Sequence, residues 1–391
     1  MRTGLTVRIC IVMEYHPHDH IGGSEVQVFG LAREFARAGH EVTYVCQRPD
    51  RARALDETID GVRVLRTLPW RRVFRFLVGP GLLRTVRTVS PEIIYQRFAS
   101  PLTGSTAIVA RLLAVPFVWG CSQDESLERG FLTRGQTKTS GGLVRRLKAL
   151  LLRANALVNQ RLFYFGVRRA QAVVVQNDLQ LELLARSFGR AGQVIPNGIA
   201  LSPVRAETPA EPLVLWLNRI TRGKNAEAFI ELARSMHAER PDVRFVLVGG
   251  RQNDAYAEEI RRRAAEVPNL ELTGSVPLSE VQSWLEKAWI FVLTSTGEGF
   301  PNVLLQAWSA GVAVVSLHVD PNGLIKQGLL GLLSETPEGF KRDVGHLLDD
   351  NELRNRLGDA SRAYVADHYE FGLVARQYLL LFEELVARSA R

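Results

Sequence analysis

Short apolar runs alternate with longer segments of helical period along almost the whole chain. In the first half the strand-like runs are 7–13, 41–46, 62–67, 92–96, 116–120 and 172–176; in the second they are 212–218, 244–249, 270–274, 290–295 and 313–317. Most are apolar throughout rather than alternating, which predicts strands buried on both faces. Between them apolar positions recur at helical spacing. One such helix is expected over Ser24–Ala38, with Ser24 as its N-cap and Gly39 as its stop. Strand–helix alternation of this kind predicts parallel, doubly wound α/β sheets. The rhythm occurs twice, on either side of a join near 195–212 that is rich in Pro, Gly and Ala, so two domains are expected.

One stretch breaks the rhythm. Between Ser122 and Arg169 the chain is long, basic and partly helical, with Leu147, Leu150, Leu151 and Ala154 at helical spacing and arginines beside them. Two readings stay open: a crossover helix with a solvated basic face, or an element that docks on a membrane surface or an acceptor.

Charge sharpens this asymmetry. Residues 1–200 carry 28 Lys/Arg and 15 Asp/Glu (+13), whereas residues 201–391 carry 21 and 26 (−5). The first half is therefore expected to meet something anionic. No nucleic-acid module accompanies the basic segments, so nucleic acid is not an expected partner. With 391 residues, 46% of them apolar and 23% charged, the chain is neither disordered nor fibrous and is long enough for two cores. Cys10, Cys46 and Cys121 are odd in number and far apart, which fits a reducing compartment and excludes a disulfide framework. The N-terminal apolar run reads as a first strand rather than a signal peptide, and no run of about 18 apolar residues is present to span a bilayer. A cytoplasmic protein is expected, possible membrane contact being peripheral.

Three strand-to-helix loops carry candidate chemistry. In residues 294–311 a strand is expected to end at Ser295, a Gly-containing turn to follow, and a helix to begin near Pro301, a favoured first-turn residue. The N–H groups of Phe300, Asn302 and Val303 would point out of the helix start, a setting for an anion or a polar sugar edge. Glu298 precedes it, and Gln306 lies one turn after Asn302 on the same helix face. In residues 213–233, Arg219, Arg222 and Lys224 share one loop, where two or three cations can clamp a diphosphate. Asn218 and Asn225 stand where a Walker A loop needs Gly and Ser/Thr, so a P-loop nucleotidase is not expected. In residues 16–35, Gly22 and Gly23 allow close approach to the backbone, and Ser24 follows. His16, His18 and His20 alternate in the same loop, a weak pattern for a metal. Asp-x-Asp, Gly-x-Ser-x-Gly and His-Glu-x-x-His are all absent, so no metal cofactor is expected.

These residues, in this order, resemble the retaining glycosyltransferase family 4. The match runs through Gly22–Glu25, Ile195–Gly198, Asn218–Lys224, Gly274–Val276, Glu298–Ala307 and a final segment His368–Leu385. The resemblance implies the GT-B fold: two facing Rossmann-like, doubly wound parallel-sheet domains with a cleft between them. The implied domains are 1–205 on the acceptor side, joined by a crossover helix near 369–391, and 206–368 on the donor side. It implies transfer of a sugar from a UDP-, GDP- or ADP-sugar to an acceptor hydroxyl with retention of configuration. Arg219 and Lys224 match the pair on the donor diphosphate, and Glu298 the first acid of the Glu-x7-Glu motif. Gly299, Phe300, Pro301 and Asn302 match the backbone holding sugar and phosphate. Val276 lies where the base is met, Asn197 at the domain join, and Gly22, Gly23 and Ser24 in the phosphate and acceptor loop. The acceptor is expected to be a glycan or a lipid-linked saccharide.

Two departures from the family pattern stand out. Gln306 replaces the second acid of the motif, and Ser122, followed by Gln123 and Asp124, stands where many members have a His. Asp124 and the departing phosphate of the donor are the candidates to assist the acceptor hydroxyl. Rival activities are a nucleotide-sugar epimerase or a sugar phosphorylase on the same fold, or a non-catalytic sugar-nucleotide-binding protein.

Overall fold

The computed structural model describes residues 6–20, 22–50, 52–69, 78–133, 143–204, 209–250, 254–327 and 330–389. The chain forms two compact units, 1–198 with 371–391, and 199–370. The join expected at 205/206 and part of the basic stretch, 134–142, lie outside the described residues.

In the first unit the chain runs β1 (Arg8–Val12), α1 (Gly23–Arg37), β2 (Glu41–Gln47), β3 (Asp56–Ile59), β4 (Val62–Leu68), α2 (Gly79–Val89), β5 (Ile93–Arg97), α3 (Pro101–Leu112) and β6 (Phe117–Gly120). It continues through α4 (Leu143–Arg169), β7 (Ala172–Val175), α5 (Asp178–Phe188) and β8 (Gln193–Val194). The strands form one sheet in the order β3-β4-β2-β1-β5-β6-β7-β8, parallel except for the β3/β4 pair. Strand order reverses direction between β1 and β5, the place where doubly wound sheets open a crevice beyond their carboxyl ends.

The second unit runs β9 (Leu213–Leu217), α6 (Ala226–Met236), β10 (Arg244–Val248), α7 (Ala255–Ala265), β11 (Leu270–Gly274), α8 (Leu278–Lys287) and β12 (Ile290–Leu293). It ends with α9 (Asn302–Ser309), β13 (Ala313–Ser316), β14 (Leu332–Leu333), α10 (Pro337–Asp349) and α11 (Asn351–His368). Its sheet is ordered β11-β10-β9-β12-β13-β14, with every strand pair parallel. Here the reversal falls between β9 and β12. Each sheet has an apolar layer on both faces, as continuous apolar strands require.

The last helix, α12 (Phe371–Ser389), packs on the first unit. Its Phe371 ring sits where neither Gly30 of α1 nor Gly198 could carry a Cβ without colliding with it. Gln27 locks the same corner: its amide donates to the Gly198 carbonyl at 2.8 Å and accepts from the Gly198 N–H at 2.9 Å.

Local signals misplace three boundaries. Gly22, not Ser24, caps α1: it is extended (φ −135°, ψ 155°), and Ser24 lies inside the helix. The Gly22 carbonyl already accepts from Val26 N at 3.1 Å, so the cap lies two residues earlier than the hydroxyl signal indicates. Pro301 is likewise the N-cap of α9 with ψ 123°, and helical residues begin at Asn302. β12 stops at Leu293, two residues before Ser295. The short strands β3, β8 and β14 have two to four residues each, too few for a readable periodicity.

Candidate active site

The reversal in the second sheet places the loops after β9 and β12 side by side. Asn218–Asn225 carries the cations and Thr294–Pro301 carries Glu298. Backbone and side chains bind the two loops together. Thr296 N donates to Gly223 O at 3.0 Å. Thr294 Oγ1 donates to the Lys224 carbonyl at 2.8 Å and accepts from the buried Trp216 indole at 2.8 Å. Asn225, which follows Lys224, is left-handed (φ 50°), a conformation that Asn tolerates and a β-branched Thr does not. This accounts for Asn at the position where a Walker A loop has Ser or Thr.

Lys224 Nζ lies 2.5 Å from Glu298 Oε2, with side-chain exposures of 21% and 15%. Glu298 Oε1 also accepts from Ser295 Oγ, a support that sequence spacing alone did not single out. Arg219 is exposed. Its backbone N–H bonds Asn218 Oδ1 at 3.0 Å, and its guanidinium makes no ion pair among the described residues. The guanidinium of the exposed Arg222 lies over the Tyr256 ring at 4.7 Å, and Tyr256 in turn donates to Glu227. Arg219, Arg222 and Lys224 thus share one loop, with Lys224 next to Glu298.

After Glu298 the chain turns through Gly299 into α9. Phe300 is 6% exposed and packs 5.2 Å from Tyr369 and 6.4 Å from Trp308. This contact anchors the backbone at Pro301 and Asn302. Gln306 is half-buried on α9, and its side chain makes no hydrogen bond to a described residue. Val276 follows β11, where Gly250 allows close approach, a Cβ there meeting Ser275 Oγ at 2.6 Å.

The remaining expected residues belong to the first unit. Gly22, Gly23 and Ser24 follow the β1 strand at its reversal point, and the Glu25 carboxylate lies directly against Gly22. His16 is a core residue. Fully buried, it packs edge-on against Phe29 at 4.4 Å, and its Nδ1 accepts from His18 N at 3.2 Å. Burial pushes its pKa down to about 3, so it is neutral at physiological pH. Among the described residues no group of three or more His, Cys, Asp or Glu is placed to hold a metal. Asn197, 3% exposed, accepts from Arg97 through Oδ1. Asp124 accepts from Gln180 Nε2 at 2.8 Å, while Gln180 Oε1 accepts from Gln176 N and Gln176 Nε2 donates to Cys121 O. The Asp124 carboxylate is thus held in an amide network. Cys10, Cys46 and Cys121 are free and buried.

Comparison with known proteins places this geometry. A family profile described as "Glycosyl transferases group 1" matches residues 211–350, and one described as "Glycosyl transferase 4-like domain" matches residues 22–198. The phosphatidyl-myo-inositol mannosyltransferase of Mycolicibacterium smegmatis is 24% identical over 96% of this chain and 94% of its own. The lipopolysaccharide core biosynthesis glycosyltransferase LpsE of Rhizobium meliloti is 27% identical over 50% of this chain and 56% of its own. The match spans about half the length of several such curated relatives, 47–56% in three of them. Among solved structures, sucrose-phosphate synthase from Thermosynechococcus elongatus covers 97% of this chain and 99% of its own, with a TM-score of 0.72 and 20% identity. HepE of Anabaena, solved with UDP-glucose, covers 96% and 99%, with a TM-score of 0.70 and 15% identity. With two doubly wound units and profile matches covering most of the chain, the protein belongs to the group 1, family 4 glycosyltransferases of the GT-B fold.

Proposed function

We propose that the protein transfers a sugar from a nucleoside-diphosphate sugar to an acceptor hydroxyl, with retention of anomeric configuration and without a metal. The observation that carries this reading is the Lys224–Glu298 pair at the reversal point of the second sheet, beside Arg219. Lys224 and Arg219 meet the donor diphosphate, whose negative charge grows as the bond from the anomeric carbon to its oxygen breaks, so fixed cations stabilise that step. Glu298 takes the sugar hydroxyls, and the backbone from Gly299 to Asn302 the sugar and phosphate. Val276 and Gln306 flank the nucleoside, with Asn197 at the join. The acceptor oxygen bonds to the anomeric carbon on the face the diphosphate leaves, and its proton passes to the departing phosphate oxygen. Asp124, committed to Gln180, is the lesser candidate for that proton.

The acceptor side is assigned to the basic first unit and its Gly22-Gly23-Ser24 loop. The acceptor is a glycan or lipid-linked saccharide of cell-surface glycan or glycolipid synthesis, met by a cytoplasmic protein at an anionic membrane surface. The names of relatives such as the mannosyltransferase and LpsE support this class. The absence among the described residues of any helix able to cross a membrane is compatible with peripheral contact.

A thermal-shift series with UDP, GDP, ADP and their sugars, in EDTA, tests the donor reading. Stabilisation by one nucleotide that disappears in Arg219→Ala is the expected result. No stabilisation by any of them would overturn it. Incubation with donor alone separates transfer from epimerisation, because only an epimerase converts the donor without an acceptor.

A further inference from the structure

The basic stretch that interrupts the strand–helix rhythm holds α4, the crossover between the parallel neighbours β6 and β7. α4 has 27 residues, so at 1.5 Å per residue it is about 40 Å long. Its two halves differ in kind. The C-terminal half is clamped into the unit: Phe163 is fully buried and lies 5.6 Å from Trp119. Gln160 Oε1 accepts from Leu132 N at 2.7 Å, and Tyr164 Oη from Gly130 N at 2.9 Å. Against α3 the backbones touch. A Cβ on Gly166 would meet Thr103 carbonyl atoms at 2.6 Å, and one on Gly104 would collide with the Leu162 carbonyl.

Before this clamp, several described apolar side chains of α4 face solvent. Residues 150–154 are exposed in succession. Leu150, Leu151 and Leu152 are 63%, 55% and 41% exposed, and Leu157 and Val158 are 56% and 40%. The contacts Thr103–Gly166 and Gly104–Leu162 set α3 antiparallel to α4. That register carries Ile108 and Leu112 of α3, 42% and 63% exposed, toward Val158 and Ala154. Of the twelve exposed large apolar side chains among the described residues, seven thus gather on these two helices, far beyond the scattered apolar residues that an ordinary surface carries.

The charges on these two helices are of one sign. α4 contains seven Lys/Arg and no Asp or Glu, and α3 contains Arg111 and no acid. Consecutive residues of a helix point about 100° apart, so Leu150, Leu151 and Leu152 face three directions. A protein groove covers one face of a helix and would leave the others wet. A bilayer surrounds whatever projects into it. The length and charge of α4 also suit lying in an interface rather than crossing one.

We propose that residues 150–158 of α4, with Ile108 and Leu112 beside them, form the element that inserts into an anionic lipid bilayer, the leucines among the acyl chains and the exposed Arg153 and Arg161 on the headgroup phosphates. The proposal deepens the peripheral-membrane part of the reading above and rests on it for its use. Donor binding does not depend on it.

The test is sedimentation of the full chain with phosphatidylcholine vesicles, with and without phosphatidylglycerol. It compares the native protein, the triple variant Leu150→Ser/Leu151→Ser/Leu157→Ser, and Arg153→Glu/Arg161→Glu. All five positions are exposed, so unchanged thermal midpoints are expected and serve as the folding control. The native protein is expected to pellet with the anionic vesicles. The serine variant should partition about tenfold or more weaker at any salt concentration, whereas the glutamate variant should lose the salt-sensitive share. The proposal is overturned if no vesicle binds the native protein, or if the serine variant binds equally well. It is also overturned if a lipid-free dimer forms that the serine variant returns to monomer, which would give this apolar surface to a second copy. The nucleotide thermal shift, read on the same variants, should not change; its failure would count against the donor reading alone.

Discussion

Lys224 Nζ lies 2.5 Å from Glu298 Oε2, and each residue comes from a different strand-to-helix loop of one sheet. The pair leaves neither charge unpartnered in this state; in the reading proposed above, donor binding would exchange it for contacts of Lys224 with the diphosphate and of Glu298 with the sugar. Lys224→Ala and Glu298→Gln should each lower kcat by about 10²–10³-fold. Initial rates with the donor selected by thermal shift would show this; near-native rates in either variant would remove that residue from the mechanism.

Thr294 holds the backbone of Lys224 in place. Its hydroxyl links the Trp216 indole to the Lys224 carbonyl. Thr294→Val leaves both buried partners unsatisfied and should cost about 1–3 kcal/mol in urea unfolding. It should also lower kcat more than it raises KM. Thr294→Ser keeps the hydroxyl and should recover both.

Gln306 offers one acceptor where a carboxylate offers two. If it grips a ribose diol, Gln306→Glu should tighten nucleotide binding by about tenfold, equivalent to about 1.4 kcal/mol. Calorimetric titration with the preferred nucleotide measures this, and unchanged or weaker binding would remove Gln306 from the ribose site.

His16 predicts acid sensitivity. Its folded pKa is lowered from 6.5 to about 3, chiefly by burial. Below about pH 6.5 the unfolded chain takes up a proton that the folded one refuses, so stability falls with pH. The loss should reach about 2 kcal/mol near pH 5 from this residue alone. His16→Asn keeps an acceptor for the His18 N–H and should flatten the dependence between pH 6.5 and 5, as read by urea midpoints.

Glycines in the two units should respond oppositely to a methyl group. Gly198→Ala drives a Cβ into the Phe371 ring and should cost about 1–3 kcal/mol. Gly345 lies within α10 with nothing within 4 Å of an added Cβ, so Gly345→Ala should stabilise by about 0.5–1 kcal/mol. Equal responses would mean that the Phe371 contact does not hold α12 in place.

The placement of the candidate site's loops was legible because its residues are close in sequence to the strands that carry them. Arg219 and Lys224 follow β9, and Glu298 through Asn302 follow β12. What brings these loops together is the order β10-β9-β12-β13, and strand order leaves no local mark. Arg222 illustrates the limit. Its spacing placed it beside Arg219 and Lys224, and only the fold shows that Tyr256, on another helix, provides a ring for it. Ser24 fails for a related reason: a helix starts where carbonyl geometry first allows it, and a capping side chain only biases the choice.

The sequence by itself determined the fold class, the duplication of the parallel-sheet unit, the positions of most strands and the two loops that carry Lys224 and Glu298. Those features follow from hydrophobic period and turn chemistry, which act over a few residues. Only the tertiary structure decided which polar groups pair, that Asn197 is taken by Arg97 and Asp124 by Gln180, and that Leu150–Leu152 are left bare while Phe163 on the same helix is buried. The apolar residues of α4 look alike along the chain. Their fates diverge because burial depends on what the rest of the fold brings against them, and α3 meets only part of the helix closely.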